Sequence, residues 1–286
     1  MIIVTDSAAE ISKEEMTNFG IEAAPLFIHF PEGETNSADI SPDDFYTRLE
    51  AMQPEIPTTA QPGSGIFSAI YKKILDSGES IFSIHISSGL SSTYNSAMVG
   101  GDSLSAGTKI QYWDTLTLSG GERFQVLAAA WASKAGWPIE KIQQRLGEIR
   151  KQTEVIYTLE TLDYLARGGR IGRVSALMGS LLKLKPVINV SHEDGKYNTV
   201  TKVRTIPAAL SAIVDNLTST YGDEPVWVTV LHGKFQQGAD DLAKLLKENL
   251  NVGKLEVQRI SPVLGVHTGP GIVGAAVVPL SLMSGY

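Results

Sequence analysis

The chain has 286 residues, 43% of them hydrophobic and 19% charged, which is enough apolar material for two ordinary cores and too much for a disordered chain. It has no cysteine, which excludes disulfides, thiolate nucleophiles and every metal site that needs sulfur. A net charge of −7 argues against general binding to nucleic acid.

The predicted elements begin with a buried strand. The apolar run from Ile2 to Val4 stops at Thr5-Asp6-Ser7, a polar loop ahead of a helix at 12–19. No basic region precedes it and Asp6 interrupts it, so it reads as a strand and not as a signal peptide. Residues 21–30 are β-rich. Ser41-Pro42-Asp43-Asp44 then marks a helix start, with a capping hydroxyl, a proline at the first helical position and two acids in the first turn. Residues 57–65 read as a loop, followed by a helix in which Ile66, Phe67, Ile70, Ile74 and Leu75 recur at helical spacing. A strand at 80–86, a loop at 87–92, a helix from 93, a strand at 109–113, helices at 120–135 and 138–150, and a strand at 155–159 complete the first half. Alternating strands and helices predict a mostly parallel sheet.

The second half has a different rhythm. Strands at 186–190 and 197–203 flank Glu193-Asp194-Gly195 and predict an antiparallel hairpin. A helix burying Ile206, Leu210, Ile213, Val214 and Leu217 follows. Then come a strand at 226–231, a helix with Leu242, Leu245, Leu246 and Leu250, and strands near 255–260 and 272–278. The expected fold class is α/β, with an N-terminal, mostly parallel-sheet α/β domain over 1–160 and a C-terminal α+β domain over 161–286. The junction falls near 161–173 and the ligand between the domains. The longest apolar stretch, 271–283, contains glycines and Pro279 and is too short to span a bilayer. A cytoplasmic protein without integral membrane association is expected, open at most to transient membrane contact.

Four segments carry chemistry. Ser87-Ser88-Gly89-Leu90-Ser91-Ser92-Thr93 joins a strand to a helix, where unpaired N–H groups and small hydroxyls offer donors to an anion; a plain capping loop has the same composition. Pro57-Thr58-Thr59-Ala60-Gln61-Pro62 is a second hydroxyl-rich loop, equally readable as a rigid turn. His267-Thr268-Gly269-Pro270-Gly271-Ile272-Val273-Gly274 contains GxGxxG, but a strand follows where a dinucleotide site needs a helix. His267 therefore reads as a site residue in a glycine-rich loop, against a structural histidine. Leu162 to Ile171 reads as a helix ending at Gly168, and the chain from Tyr164 to His192 carries Arg167, Arg170, Arg173, Lys183 and Lys185. That basic stretch is either a solvated face or a docking surface for an anionic group or acidic partner. Gly63-Ser64-Gly65 lacks the spacing of a nucleophile elbow, there is no Walker loop or HExxH motif, and no carboxylate–histidine cluster stands out.

Taken in order, Val4-Thr5-Asp6-Ser7, Thr58-Thr59-Ala60-Gln61-Pro62, Ser87 through Tyr94, Leu162-Asp163-Tyr164-Leu165 with Gly168-Gly169-Arg170-Ile171, and His267 through Gly271 resemble the DegV family nearly end to end. Studied members of that family are the fatty-acid-binding subunits of bacterial fatty acid kinase. The resemblance implies that Thr59, Ser91 and His267 hold a fatty acid carboxylate, with Ser92 as the neighbouring candidate because it stands where the family usually has glycine. Ala60 likewise stands where serine is usual. It also implies that Arg204 serves the kinase step, performed with ATP on a separate dihydroxyacetone-kinase-like subunit, and that the acyl phosphate product enters phospholipid synthesis. Arg170 and Arg173 are expected beside the emerging carboxylate. No cofactor and no metal are expected. Two other readings remain: a serine hydrolase or phosphotransferase using Ser91 and His267, and a binding module for another small anion. The apolar run Ile171, Val174, Leu177, Met178, Leu181 and Leu182 is the expected lining for an acyl chain.

Overall fold

A computed structural model of the chain describes residues 1–104, 109–176 and 184–286. Strands β1 (Ile2–Asp6), β2 (Ile21–Ala24), β6 (Ile81–His85) and β7 (Ile110–Asp114) form a sheet in the order β2-β1-β6-β7, every pair parallel. Helices α3 (Ser64–Asp76) and α4 (Thr93–Asp102) close one face, burying Phe67, Tyr71 and Ala97 against Val4 and Ile81. The local signals hold. Ser12 and Glu15 form a reciprocal capping box on α1 (Lys13–Phe19), and Ser41 caps α2 (Pro42–Ala51) ahead of Pro42.

A second sheet has six strands in the order β10-β9-β8-β13-β11-β12. Strands β9 (Lys185–Val190) and β10 (Tyr197–Val203) form the expected hairpin. Strands β11 (Val226–His232) and β12 (Val252–Arg259) run parallel, and β13 (Val273–Pro279) is antiparallel to β11. Helices α8 (Ile206–Tyr221) and α9 (Gln236–Asn249) cover its outer face. The strand β8 (Glu154–Thr158), read from sequence among the alternating elements of the first half, pairs antiparallel with β9 and β13 in this second sheet. Its apolar residues fit either sheet, and only tertiary pairing decides.

Helix α5 (Ser119–Lys134) lies between the two sheets. Thirteen of its sixteen residues are buried, so it has no solvent face. It packs closely enough that a Cβ on Gly120 would stand 2.6 Å from Cβ of Ala276 on β13, while Phe124 meets Trp227 of β11 edge to face. Helix α6 (Ile139–Gln152) packs beside it. One apolar core thus spans both halves, from Ile3 and Phe82 to Trp227 and Ala276.

Two elements stand where loops were read. Residues Thr58–Ala60 form β5, the third strand of a small antiparallel sheet with β3 (Phe27–Phe30) and β4 (Gly33–Asn36), where a loop was read. Its three residues are too few to show alternation. Residues Pro262–Thr268 form a short helix α10, where His267 was read in a glycine-rich loop. Ser261-Pro262 was its start signal, hidden by the glycines that follow.

Candidate functional site

In the first sheet β1 has β2 on one side and β6 on the other, so the strand order reverses at β1. In open parallel sheets the crevice beyond the strand ends at such a reversal is where ligands bind. Four polar side chains from separate segments meet there. Thr59 comes from β5, Ser91 from the loop after β6, Arg170 from the turn after α7 (Asp163–Arg167), and His267 from the last turn of α10. All four line one cavity.

Thr59 Oγ1 and His267 Nε2 are hydrogen-bonded at 2.8 Å. Ser91 Oγ lies 2.8 Å from Thr93 Oγ1 and accepts from the Thr93 N–H at 3.3 Å. Arg170 is steadied by donation from Nη1 to the Gly168 carbonyl at 2.7 Å. No aspartate or glutamate is among the lining residues. A cavity whose lining includes a guanidinium, an imidazole, the Gln61 amide and the hydroxyl residues Thr59, Ser91 and Tyr197, without a carboxylate, is suited to an anion.

Burial, reinforced by the Arg170 guanidinium, pushes the His267 imidazole down to about 4, so the ring is neutral at pH 7. Its Nδ1 is buried and has no hydrogen-bond partner among the described residues. The ring lies against Gly168, where a Cβ would stand only 2.1 Å from Nδ1. The loop carrying Ser91 is equally fixed. Ser87 Oγ donates to the Gly195 carbonyl at 2.9 Å, which seats the loop on the turn of the β9–β10 hairpin. Gly89 admits the Asp194 carbonyl so closely that any Cβ would stand 2.4 Å from it.

Behind this cavity lies a second, narrow apolar one, bounded by Val155, Leu231, Ile260 and Ile272 together with Leu118 and Leu264. Leu118 and Leu264 stand on both cavities and form the wall between them. Tyr197, lining the polar cavity, packs edge to face on Tyr157 of the apolar one. None of these apolar residues was singled out from sequence. Of the run expected to line an acyl chain, Ile171 and Val174 pack into the main core and border neither cavity. Leu177, Met178, Leu181, Leu182 and the basic Lys183 lie outside the described residues.

The other candidates are dispersed. Ser92 is exposed at the N-cap of α4 and does not line the cavity. Arg173 is exposed and pairs with Asp194 at 2.9 Å. Arg204 is exposed between β10 and α8. Elsewhere in the basic stretch, Arg167 binds the Pro54 carbonyl and Lys185 the Glu160 carbonyl. Ser91 and His267 are not hydrogen-bonded to each other; Nε2 is engaged by Thr59.

A carboxylate–histidine pair that sequence reading did not find lies beneath the site. Asp6 Oδ2 binds His85 Nδ1 at 3.0 Å and accepts from the Ile86 N–H at 3.1 Å, while Oδ1 accepts from the Ala8 N–H. His85 Nε2 meets Ser83 Oγ, which meets the Tyr71 hydroxyl. These four side chains are fully buried, and none borders the polar cavity. Their geometry ties the ends of β1 and β6 together. Asp6 and His85 end adjacent parallel strands, and that pairing was the signal available in the sequence.

A family model described as "Uncharacterised protein, DegV family" matches residues 1–280. A DegV domain-containing protein of Clostridium acetobutylicum is 31% identical over 277 residues, covering 96% of this chain and 97% of that protein. Among solved structures, a DegV family protein from Thermus thermophilus described by its fatty acid binding matches with a TM-score of 0.90 at 26% identity, over 97% of this chain and 99% of that one. DegV of Bacillus subtilis, described as a fatty acid binding protein, matches with a TM-score of 0.85 at 29% identity, over 97% and 99% of the two chains. The parallel-sheet first half and the mixed second half are the architecture of those structures.

Proposed function

We propose that this chain, which belongs to the DegV family, binds a long-chain fatty acid and presents its carboxylate to a separate ATP-dependent kinase subunit. The observation that carries the first half of this reading is the paired cavity. A polar chamber with Thr59, Ser91, Arg170 and His267 opens behind a two-leucine wall onto an apolar chamber between the sheets. The carboxylate accepts hydrogen bonds from the hydroxyls and the imidazole, and Arg170 supplies the opposing charge, which makes Arg170 a ligand residue in this reading and not only a partner-side one. Each such charge-assisted bond contributes about 1.5–3 kcal/mol, and each buried methylene about 0.8 kcal/mol. The fatty acids named in the descriptions of the Thermus and Bacillus proteins support the same ligand class here. Native mass spectrometry of protein purified from a bacterial host should find a fatty acid, and palmitate should bind far more tightly than butyrate. Equal affinity for the two would refute burial of the acyl chain.

The second half concerns phosphoryl transfer. A carboxylate oxygen attacks the γ-phosphorus of ATP on a dihydroxyacetone-kinase-like subunit, ADP leaves, and the acyl phosphate goes on to phospholipid synthesis. This chain acts in the cytoplasm as carrier, without a cofactor and without catalysis of its own. Arg204 and Arg173, both exposed, serve the kinase side. Arg204→Ala should retain fatty acid binding and lose kinase-dependent acyl phosphate formation. Normal turnover, or a parallel loss of binding and turnover, would remove Arg204 from this role.

A further inference from the structure

The wall between the two cavities is built unlike the rest of the molecule. Among the described residues only three that are not glycine have a left-handed backbone, Glu10, Leu116 and Ser119, with φ of 55°, 51° and 51°. All three converge on this wall. Leu116 and Ser119 bracket Leu118 in the connection from β7 to α5. Glu10 reaches across from the turn after β1, and its carboxylate accepts from the Ser119 hydroxyl and, at 2.6 Å, from the Ser261 N–H. Ser119 is the neighbour of Leu118. Ser261 stands at the N-cap position of α10, one turn before Leu264. A single carboxylate thus holds both elements that supply the wall. Non-glycine residues in this backbone region are strained, persist only where their surroundings fix them, and gather at clamps and switching segments. The connection is anchored on its other side, where Thr117 O accepts from Ser87 N–H at 2.8 Å and Thr115 O from Gln125 Nε2 at 3.1 Å.

We infer that Leu118 and Leu264 form a gate that an acyl chain must displace to pass from the polar chamber into the apolar one, and that Glu10 is the latch that holds the gate closed. The inference rests on the fatty acid reading and deepens it, because a gate sorts ligands by length. Short chains fill the near chamber with the gate shut. Long chains open it, and the cost of opening is set against the burial of their distal methylenes. Glu10 touches no ligand and acts as a positioning residue.

The experiment is a ladder of dissociation constants for saturated fatty acids from hexanoate to stearate. Affinity should rise about fourfold per methylene, pause over the lengths at which the chain meets the gate, and then rise again. Leu118→Ala should erase the pause, and Leu118→Phe should stop the rise at it. Glu10→Gln keeps the shape but weakens the acceptor, and it should narrow the pause without changing affinity for the shortest ligand. Leu118→Met, which conserves volume, provides a flexible gate should the alanine variant fail to fold, and it too should narrow the pause. A smooth ladder in the unmodified protein, or a pause that all four variants leave in place, would overturn the gate. A ladder with no dependence on length would instead overturn the fatty acid reading itself, so the two failures are distinguishable.

Discussion

Gly168→Ala tests the carboxylate site from outside it. Gly168 ends α7 with φ of −73° and ψ of −6°, angles that alanine adopts freely. On backbone grounds alone the substitution should stabilise the fold by about 0.4–1 kcal/mol, through the unfolded state. The added methyl, however, would stand 2.1 Å from His267 Nδ1 and 2.9 Å from Cε1, where ordinary contact begins near 3.4 Å. The Tyr164 carbonyl, 3.1 Å from the same methyl, limits its retreat. The imidazole must yield by more than 1 Å, which takes Nε2 away from its 2.8 Å contact with Thr59. Losing one charge-assisted hydrogen bond of about 1.5–3 kcal/mol weakens binding about 10- to 150-fold. Isothermal titration with palmitate reads the affinity, and thermal denaturation shows that the fold survives. Gly147→Ala, on α6 with no atom within 4 Å of the new methyl, is the control and should keep full affinity. Palmitate affinity unchanged in Gly168→Ala, with a rise in melting temperature like that of the control, would refute His267 as a carboxylate ligand held in place by Gly168.

Four other substitutions follow from the same geometry. Ser91→Ala should weaken palmitate binding about tenfold while Ser92→Ala stays within about twofold, as read by the same titration; the reverse order would move the site to the start of α4. The unfolded His267 takes up its proton near 6.5 and the folded one near 4, so between these values the unfolded chain holds more protons and stability falls as pH drops. That loss is at most about 3 kcal/mol, and it should appear as a difference in urea midpoints between the parent protein and His267→Gln on going from neutral pH to below pH 5; parallel midpoints would mean that the ring is not held neutral. Asp6→Ala deprives His85, the Ile86 N–H and the Ala8 N–H of their acceptor and should cost about 3–5 kcal/mol in urea unfolding; a loss under about 1 kcal/mol would show that the buried chain to Tyr71 is dispensable.

Much of this architecture was legible because it is local. The Ser12 and Ser41 caps, the helical spacing from Ile66 to Leu75 and the turn at Asp194-Gly195 each state their element within a few residues. What was not legible depends on partners distant in the chain. β8 reads as a strand, yet nothing within it says that it pairs with β13 across more than a hundred residues. β5 has too few residues to show a period, and α10 was masked by the glycines after it. The convergence of Thr59, Ser91 and His267 on one cavity was drawn from a resemblance, not from periodicity, and the structure brings those three together. Arg170 was expected beside the emerging carboxylate and lines the cavity itself. The apolar chamber escaped notice altogether, because its walls come from α5, α10 and three strands of the second sheet, each contributing ordinary core residues.

The burial of α5 on every side has a consequence for how the protein is made. Its alanine-rich surface is complete only when β13 reaches it, and β13 begins roughly 140 residues after α5 ends. At about 5–20 residues per second on the ribosome, that helix waits on the order of ten seconds with one apolar side uncovered. β8 is joined early by β9 but waits nearly as long for its other neighbour, β13. The first parallel sheet and its outer helices can form early, but the central core cannot close during most of synthesis. The nascent chain is therefore a candidate for chaperone binding in that interval, and its last strand is the one that ends the exposure.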